Sequence, residues 1–328
     1  AGASDVHLAA GRRPVFRLAG ALLHSDVETT EDELHALTRH IFDDRRRELL
    51  SAQGHVDGSY TTEGGGSCRI HAYRGVAGLR FAVRLFPRAV PSLDALGIPG
   101  VVGGDFLRRR AGLLLFAGPT GCGKTTALAS AIEHINAREE RVIVTIEDPV
   151  EYAHESDRSL IAQREIGSCV TGFASGILAA LREDPDVIVV GELRDREAMA
   201  AAMTAAETGH LVLATIHTND AAQCVDRIVD VFAPAAQHQV RIQLSQVLIG
   251  VVSLRLVRRK DGHGVVAATE VMCATPAVRS VIRDGKTHQL RNVILTGRGA
   301  AMHTLEASLS NLVLSGTVDY SAACACTD

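Results

Sequence analysis

A chain of 328 residues is long enough for two domains, and 46% hydrophobic with 22% charged residues excludes a disordered polar chain. The formal net charge of -4 excludes the overall basic footprint of a duplex-DNA binder, and 4% aromatics with no Trp leave little for a stacking platform on single-stranded nucleic acid. The seven cysteines are an odd number without a Cys-x-x-Cys pair, which points away from zinc knuckles and disulfide frameworks and toward a reducing cytoplasm.

The sequence starts at Ala1, almost directly on a strand-like stretch from Asp5 to Leu8, so a few residues are expected to precede it. There is no signal-peptide pattern and no apolar run near the roughly 20 residues that span a bilayer, so membrane association is expected through partners. Thr30-x-x-Glu33 reads as a capping box, and Leu34, Leu37, Ile41 and Leu49 predict one helix running to Gly54, with the charge run Asp43 to Glu48 on its solvated side. Two stretches then alternate with period two. Cys68, Ile70 and Ala72 share one face against Arg69, His71 and Tyr73, and Phe81, Val83 and Leu85 share one against Arg80 and Arg84. The turn-like Arg74 to Gly78 joins them as a hairpin with a basic row, either an ordinary wet sheet face or an anion-binding one. Pro87, Pro91, Gly97, Pro99 and Gly100 mark a domain boundary.

Beyond it, continuous apolar runs at Leu113 to Ala117, Arg141 to Ile146, Val187 to Val190 and Leu211 to Ile216 alternate with helical stretches. Such runs predict strands buried on both faces, hence an α/β fold with a largely parallel sheet. Gly118-Pro119-Thr120-Gly121-Cys122-Gly123-Lys124-Thr125-Thr126 follows the first run and opens a helix, the context a phosphate-binding loop requires. Its glycines free backbone N–H groups to surround phosphate oxygens, Lys124 supplies a cation, and Thr125 is placed to ligate Mg²⁺. Cys122 reads as a packing residue. Glu192 ends the run Val187 to Val190 after Gly191, where a carboxylate is suited to position water and, as the first carboxylate there, to hold Mg²⁺ as well. Glu147, Asp148 and Glu151 follow another strand and suit Mg²⁺ waters if they lie near a nucleotide. His210 and His217 bracket the last run, and His217 sits at the strand end where ligands of such sheets bind.

The phosphate loop, Glu147 to Glu151, Gly191-Glu192-Leu193-Arg194-Asp195, and Thr208-Gly209-His210 through His217-Thr218 resemble, in order and spacing, the Walker A, Asp box, Walker B and His box of the secretion and pilus ATPases. Ser4 to Leu8 and the two basic strands are similar to that family's N-terminal PAS-like domain, so the likeness covers nearly the whole chain. It implies a PAS-like α+β domain over 1–90 and a RecA-like P-loop ATPase domain with C-terminal helices over 91–328. It further implies a cytoplasmic homohexamer hydrolysing ATP with Mg²⁺ between subunits and delivering work to an inner-membrane pilus platform protein, with no nucleic acid. Arg69 and Arg84 match arginines that approach the γ-phosphate, and Arg194 and Arg227 are candidates for reaching a neighbour's nucleotide. Arg80 matches less closely and is expected to be structural. The short chain and missing tetra-cysteine segment resemble the retraction branch, as does Ala277-Val278-Arg279-Ser280-Val281-Ile282-Arg283-Asp284, similar to the motif AIRNLIRE. It departs at Val278, Ser280, Val281 and Asp284, leaving a close retraction paralogue and secretion-linked relatives as alternatives. Thr275 and Pro276 predict the start of a helix there, with Val278, Val281 and Ile282 facing the core and Arg279, Ser280, Arg283 and Asp284 forming a free polar face.

Overall fold

The computed structural model describes residues 3–18, 21–61, 66–86, 89–262 and 264–326. Pro87 lies outside them. Two compact units are present, one formed by 1–89 with 149–153 and the other by 90–148 with 154–328.

The first unit contains β1 (Asp5–Ala9), β2 (Val15–Leu18), β3 (Ala21–His24), α1 (Glu31–Ile41), α2 (Asp44–Gln53), β4 (His55–Thr61), β5 (Ser67–Gly75) and β6 (Gly78–Leu85). Among the described residues its strands order as β3-β2-β1-β6-β5-β4, all antiparallel. The capping box forms, with Thr30 Oγ1 accepting from the Glu33 N–H and Glu33 Oε2 accepting from the Thr30 N–H. The single helix predicted to reach Gly54 is two. Phe42 leaves α1 in an extended conformation to bury its ring at 2% exposure, and Asp43 then caps α2 by accepting from the Arg46 N–H at 2.8 Å. A short acidic side chain at the break satisfies a helix-end donor that the interior of a continuous helix would not present. Gly54 ends α2 with φ of 80°. The predicted hairpin is β5–β6, which sets Arg69 directly opposite Arg84, while Cys68, Ile70, Ala72 and Phe81 enter the core beneath α1 and α2.

The second unit contains α3 (Gly100–Gly104), β7 (Gly112–Ala117), α4 (Lys124–Asn136), β8 (Val142–Glu147), β9 (Leu160–Glu165), α5 (Phe173–Ala180), β10 (Val187–Val190), α6 (Arg196–Glu207), β11 (Leu211–Ile216), α7 (Ala221–Asp230), α8 (Pro234–Val247), β12 (Leu248–Arg258) and β13 (Val265–Cys273). It continues with α9 (Pro276–Arg283), α10 (Leu290–Thr296), α11 (Leu305–Leu314) and α12 (Tyr320–Cys324). Its sheet runs β13-β12-β7-β11-β10-β8-β9, parallel except for the β12–β13 pair. Alternate residues of one strand serve different cores. Leu113, Leu115 and Ala117 of β7 pack toward α5 to α10, while Leu114 and Phe116 pack toward α3 and α4. Burial on both faces is why these strands read as unbroken apolar runs. Each fully buried branched side chain contributes roughly 1.5–3 kcal/mol relative to exposure. The parallel register aligns the carboxyl ends of β7, β8, β10 and β11, where the loop from Gly118, Glu147, Glu192 and His217 follow.

The helix predicted after Thr275 is α9, with Thr275 accepting from the Val278 N–H and Val278 and Ile282 buried. Its polar side is not free as expected. The Arg279 guanidinium donates to the carbonyls of Ala274, Ser245, Gln246 and Leu248, closing over the end of α8 and the start of β12. The last carbonyls of a helix lack intrahelical partners, and a cation there satisfies them. Arg283 and Asp284 remain exposed. Among the described residues, no helix is long and apolar enough to cross a membrane.

Candidate active site

The loop from Gly118 to Gly123 turns between β7 and α4 through left-handed backbone at Gly118, Gly121 and Gly123. Gly118 is required on steric grounds too, since a Cβ there would sit 2.3 Å from Cys122 Sγ and 2.7 Å from the Leu254 carbonyl. Pro119, Thr120 and Gly121 form an exposed rim, while Cys122 is buried under it. Burial pushes the Cys122 thiol up, which keeps it protonated and marks it as packing rather than a nucleophile. α4 starts at Lys124 behind Gly123 with no side chain capping it, so its first-turn amides and dipole face the loop. Thr125 and Thr126 are half-buried in that first turn.

Lys124 is 7% exposed, and its ammonium donates to the Gly118 and Pro119 carbonyls at 2.8 Å each. Its Nζ lies 3.4 Å from His217 Nδ1. Burial pulls Lys124 below the ordinary lysine value, the charge of Glu192 acting in the opposite sense. One Glu192 oxygen is 3.1 Å from His217 Nε2, and the other accepts from Arg194 Nε at 2.8 Å. Arg194 also reaches Asp148 at 3.4 Å, with its guanidinium over the Phe173 ring, and its hydrogen bond to Glu192 holds it above the usual arginine value. The structure thus brings Lys124, Glu192, Arg194, His217 and Asp148 into one connected cluster.

Glu192 depends on its neighbour for this position. The Gly191 N–H donates to the Ile146 carbonyl at 2.8 Å, and a Cβ on Gly191 would stand 3.3 Å from that oxygen. The Thr215 hydroxyl donates to the Gly191 carbonyl, tying the turn to β11. Glu147 accepts instead from Thr145 Oγ1 at 2.6 Å and Gln163 Nε2 at 3.0 Å. Glu151 belongs to the segment 149–153 of the first unit. Among the described residues no three His, Cys, Asp or Glu side chains are grouped to hold a metal. His210 turns back to the Ala205 carbonyl at the end of α6.

In the first unit Arg69 lies 3.4 Å from Asp57, and Arg84 donates to Asp5 at 3.0 Å. Arg227 is exposed in the last turn of α7. Arg255 was missed by the motif reading. It lies on β12, donates to Asn219 Oδ1 at 3.0 Å, and its positive charge acts on Cys122 and Lys124. The signal that could have found it is a lone cation inside the apolar run Ile249 to Val257.

The family model described as type II/IV secretion system protein matches residues 3–312. The chain is 40% identical over 322 residues to the type IV pilus retractation ATPase PilT of Pseudomonas aeruginosa, covering 97% of this chain and 92% of that one. It is 44% identical over 314 residues to the uncharacterized protein YggR of Escherichia coli, covering 95% of each. Its structure resembles a crystal structure of the pilus retraction motor PilT with bound ADP at a TM-score of 0.91 and 38% identity, over 99% of this chain and 93% of that one. With a glycine-rich loop, a strand-end glutamate and a histidine joined at the carboxyl ends of parallel strands, and a family model matched from residue 3 to residue 312, this chain belongs to the type II/IV secretion system protein family.

Proposed function

We propose that the chain is a motor ATPase whose hydrolysis of ATP powers retraction of a type IV pilus. The observation that carries this reading is the Lys124–His217–Glu192 connection at the carboxyl ends of adjoining strands, in a chain 40% identical to PilT over nearly its full length. The second unit is read as a RecA-like ATPase domain over 91–328 and the first as a PAS-like domain over 1–90.

The loop from Gly118 to Thr126 fits a nucleotide triphosphate, because Gly118 keeps side-chain atoms out of the cradle and uncapped amides of α4 face it. Lys124 moves from the loop carbonyls to β- and γ-phosphate oxygens, exchanging neutral acceptors for charged ones. Thr125 and Glu192 offer the oxygen ligands a hard cation takes, with Glu147 behind them holding Thr145 and Gln163. Bound Mg²⁺ supplies charge neutralisation for the phosphates. Glu192 orients the attacking water, and His217 steadies Glu192 and Lys124 together. Arg194 is held in its own chain's cluster and exchanges partners to reach a neighbour. Arg227, exposed on α7 and without an ion pair among the described residues, is the stronger candidate for that contact, and Arg69 with Arg84 complete the charge around the γ-phosphate. These shared arginines require a ring of copies, read as a cytoplasmic homohexamer working on an inner-membrane platform protein.

Pilus imaging in cells carrying Glu192→Gln tests the output. Surface pili that extend and fail to shorten are expected; loss of pili altogether would overturn retraction in favour of assembly or secretion. Hydrolysis per chain that rises with protein concentration and falls in Arg227→Ala rings is expected of shared sites.

A further inference from the structure

The wet face of the first unit's sheet has two ends. Asp5, Arg69 and Arg84 occupy one, and four residues along β5, about 13 Å away, Tyr73 stands opposite Arg80 at the other. At this second end lies a cavity of about 580 Å³ walled by His7, Arg12, Arg13, His24, Tyr73 and Arg80, with Glu28 the sole carboxylate among the described residues of its lining. Arg69 and Arg84 each have an aspartate partner, whereas among the described residues Arg12, Arg13 and Arg80 have no ion pair.

The fold fixes the backbone that carries Arg12 and Arg13 while no carboxylate pairs with them among the described residues. The loop carrying Arg12 and Arg13 is tied down by Arg12 N–H donating to the Ala9 carbonyl and by reciprocal bonds between Gly11, Arg12 and Thr29. Among the described residues Arg80 Nε is buried with no hydrogen-bond partner, and Gly75 makes room for it, since a Cβ there would lie 3.0 Å from that nitrogen. A buried donor left unpaired costs stability, as does gathering three like charges round one concavity. The cost of gathered like charges falls when an anion with several charges enters. Guanidinium forks match phosphate oxygens, and the volume falls within the roughly 300–1,000 Å³ of small-molecule sites. A concave wall suits a compact ligand better than a flat lipid surface.

We propose that this cavity binds the di- or triphosphate chain of a small molecule, at a site separate from the phosphate loop. Tyr73, stacked on His71 with ring centroids 5.5 Å apart, stands at its edge as a platform for a base if the phosphates belong to a nucleotide.

The full-length Lys124→Ala protein, in which the phosphate loop is disabled, is titrated calorimetrically at low salt with inorganic tripolyphosphate and, separately, with ADP. One tripolyphosphate per chain is expected, weakened about tenfold or more in the added Arg12→Ser, Arg13→Ser double variant and largely retained with Arg12→Lys, Arg13→Lys. Tighter binding of ADP than of tripolyphosphate identifies a nucleotide as the source, and the reverse identifies free polyphosphate. Absence of saturable binding in Lys124→Ala, binding indifferent to the serine substitutions, or binding only to phosphatidylglycerol vesicles overturns the proposal. Should the serine double variant melt early, Arg80→Gln is read by the same criteria.

Discussion

His217 Nε2 stands 3.1 Å from Glu192 Oε1 while its Nδ1 faces the Lys124 ammonium at 3.4 Å. The neutral imidazole with its proton on Nε2 satisfies both contacts, donating to the carboxylate and accepting from the ammonium. In the proposed mechanism the ring therefore relates the group that would bind phosphate to the group that would orient water.

Glu192→Gln is expected to keep ATP affinity and lose turnover by about 10²–10⁴-fold, the span of a positioned acid or base. Lys124→Ala is expected to lose binding itself, because the ammonium acts in the ground state. Parallel measurements of nucleotide affinity and phosphate release check both, and normal turnover in Glu192→Gln removes that carboxylate from the mechanism.

Gly118→Ala forces a methyl group into Cys122 Sγ and the Leu254 carbonyl at a φ of 146°. Backbone strain alone costs about 1–3 kcal/mol. Reduced melting temperature together with lost ATP binding is expected by calorimetry and titration. A variant with both properties intact would show that the loop repacks freely.

Arg279→Ala removes a guanidinium satisfying four backbone carbonyls and is expected to destabilise the second unit by roughly 2–4 kcal/mol in denaturant unfolding. Arg283→Glu, on the exposed side of the same helix, is expected to stay within about 0.5 kcal/mol. Arg283→Glu is thus the variant with which to ask whether α9 contacts the pilus machinery: near-normal ATPase with failed retraction supports a docking role, and normal retraction removes it.

Glu270 is 8% exposed and accepts from the Ala221 N–H at 2.9 Å, and burial raises its carboxyl above the ordinary glutamate value of 4.5. Between 4.5 and the raised folded value the native chain holds a proton that the unfolded chain has released. Stability therefore falls as pH rises through that window and stays at the lower level above it. Glu270→Gln keeps an acceptor for Ala221 without the buried charge. A melting temperature higher by a few degrees at pH 7, the scale of about 1 kcal/mol in a domain of this size, is expected with that fall removed. A lower melting temperature at pH 7 would mean the charged form is the one the site stabilises.

What was legible in the sequence was what local rules determine. Continuous apolar runs located β7, β8, β10 and β11, because burial on both faces leaves no room for polar alternation. Cap chemistry located Thr30 and Thr275. The break at Phe42 and Asp43 escaped because helical spacing continues across it, and only the core position of Phe42 shows why the chain turns there. Arg279 and Arg255 escaped for another reason. Apart from Ala274, their partners lie 31 to 36 residues away, on carbonyls and an amide that no periodicity announces.

β12 has its middle against the phosphate loop and its far end in the C-terminal helical cluster. The Leu254 carbonyl and Leu256 side chain bound the space at Gly118 and Gly123, while Val257 packs with Leu309, Val318 and Ala323. Gly250 to Ser253 of this strand pair with both β7 and β13, and Leu254 to Arg258 continue on β13, a ladder that makes the strand stiff to stretching. In the proposed motor, tension on the C-terminal helices would reach the cradle within a few residues, and a swelling of the cradle around bound phosphate would push back along the same rod. External load and nucleotide grip would then be two readings of one spring, so a force opposing such a motor is expected to alter how tightly it holds its fuel.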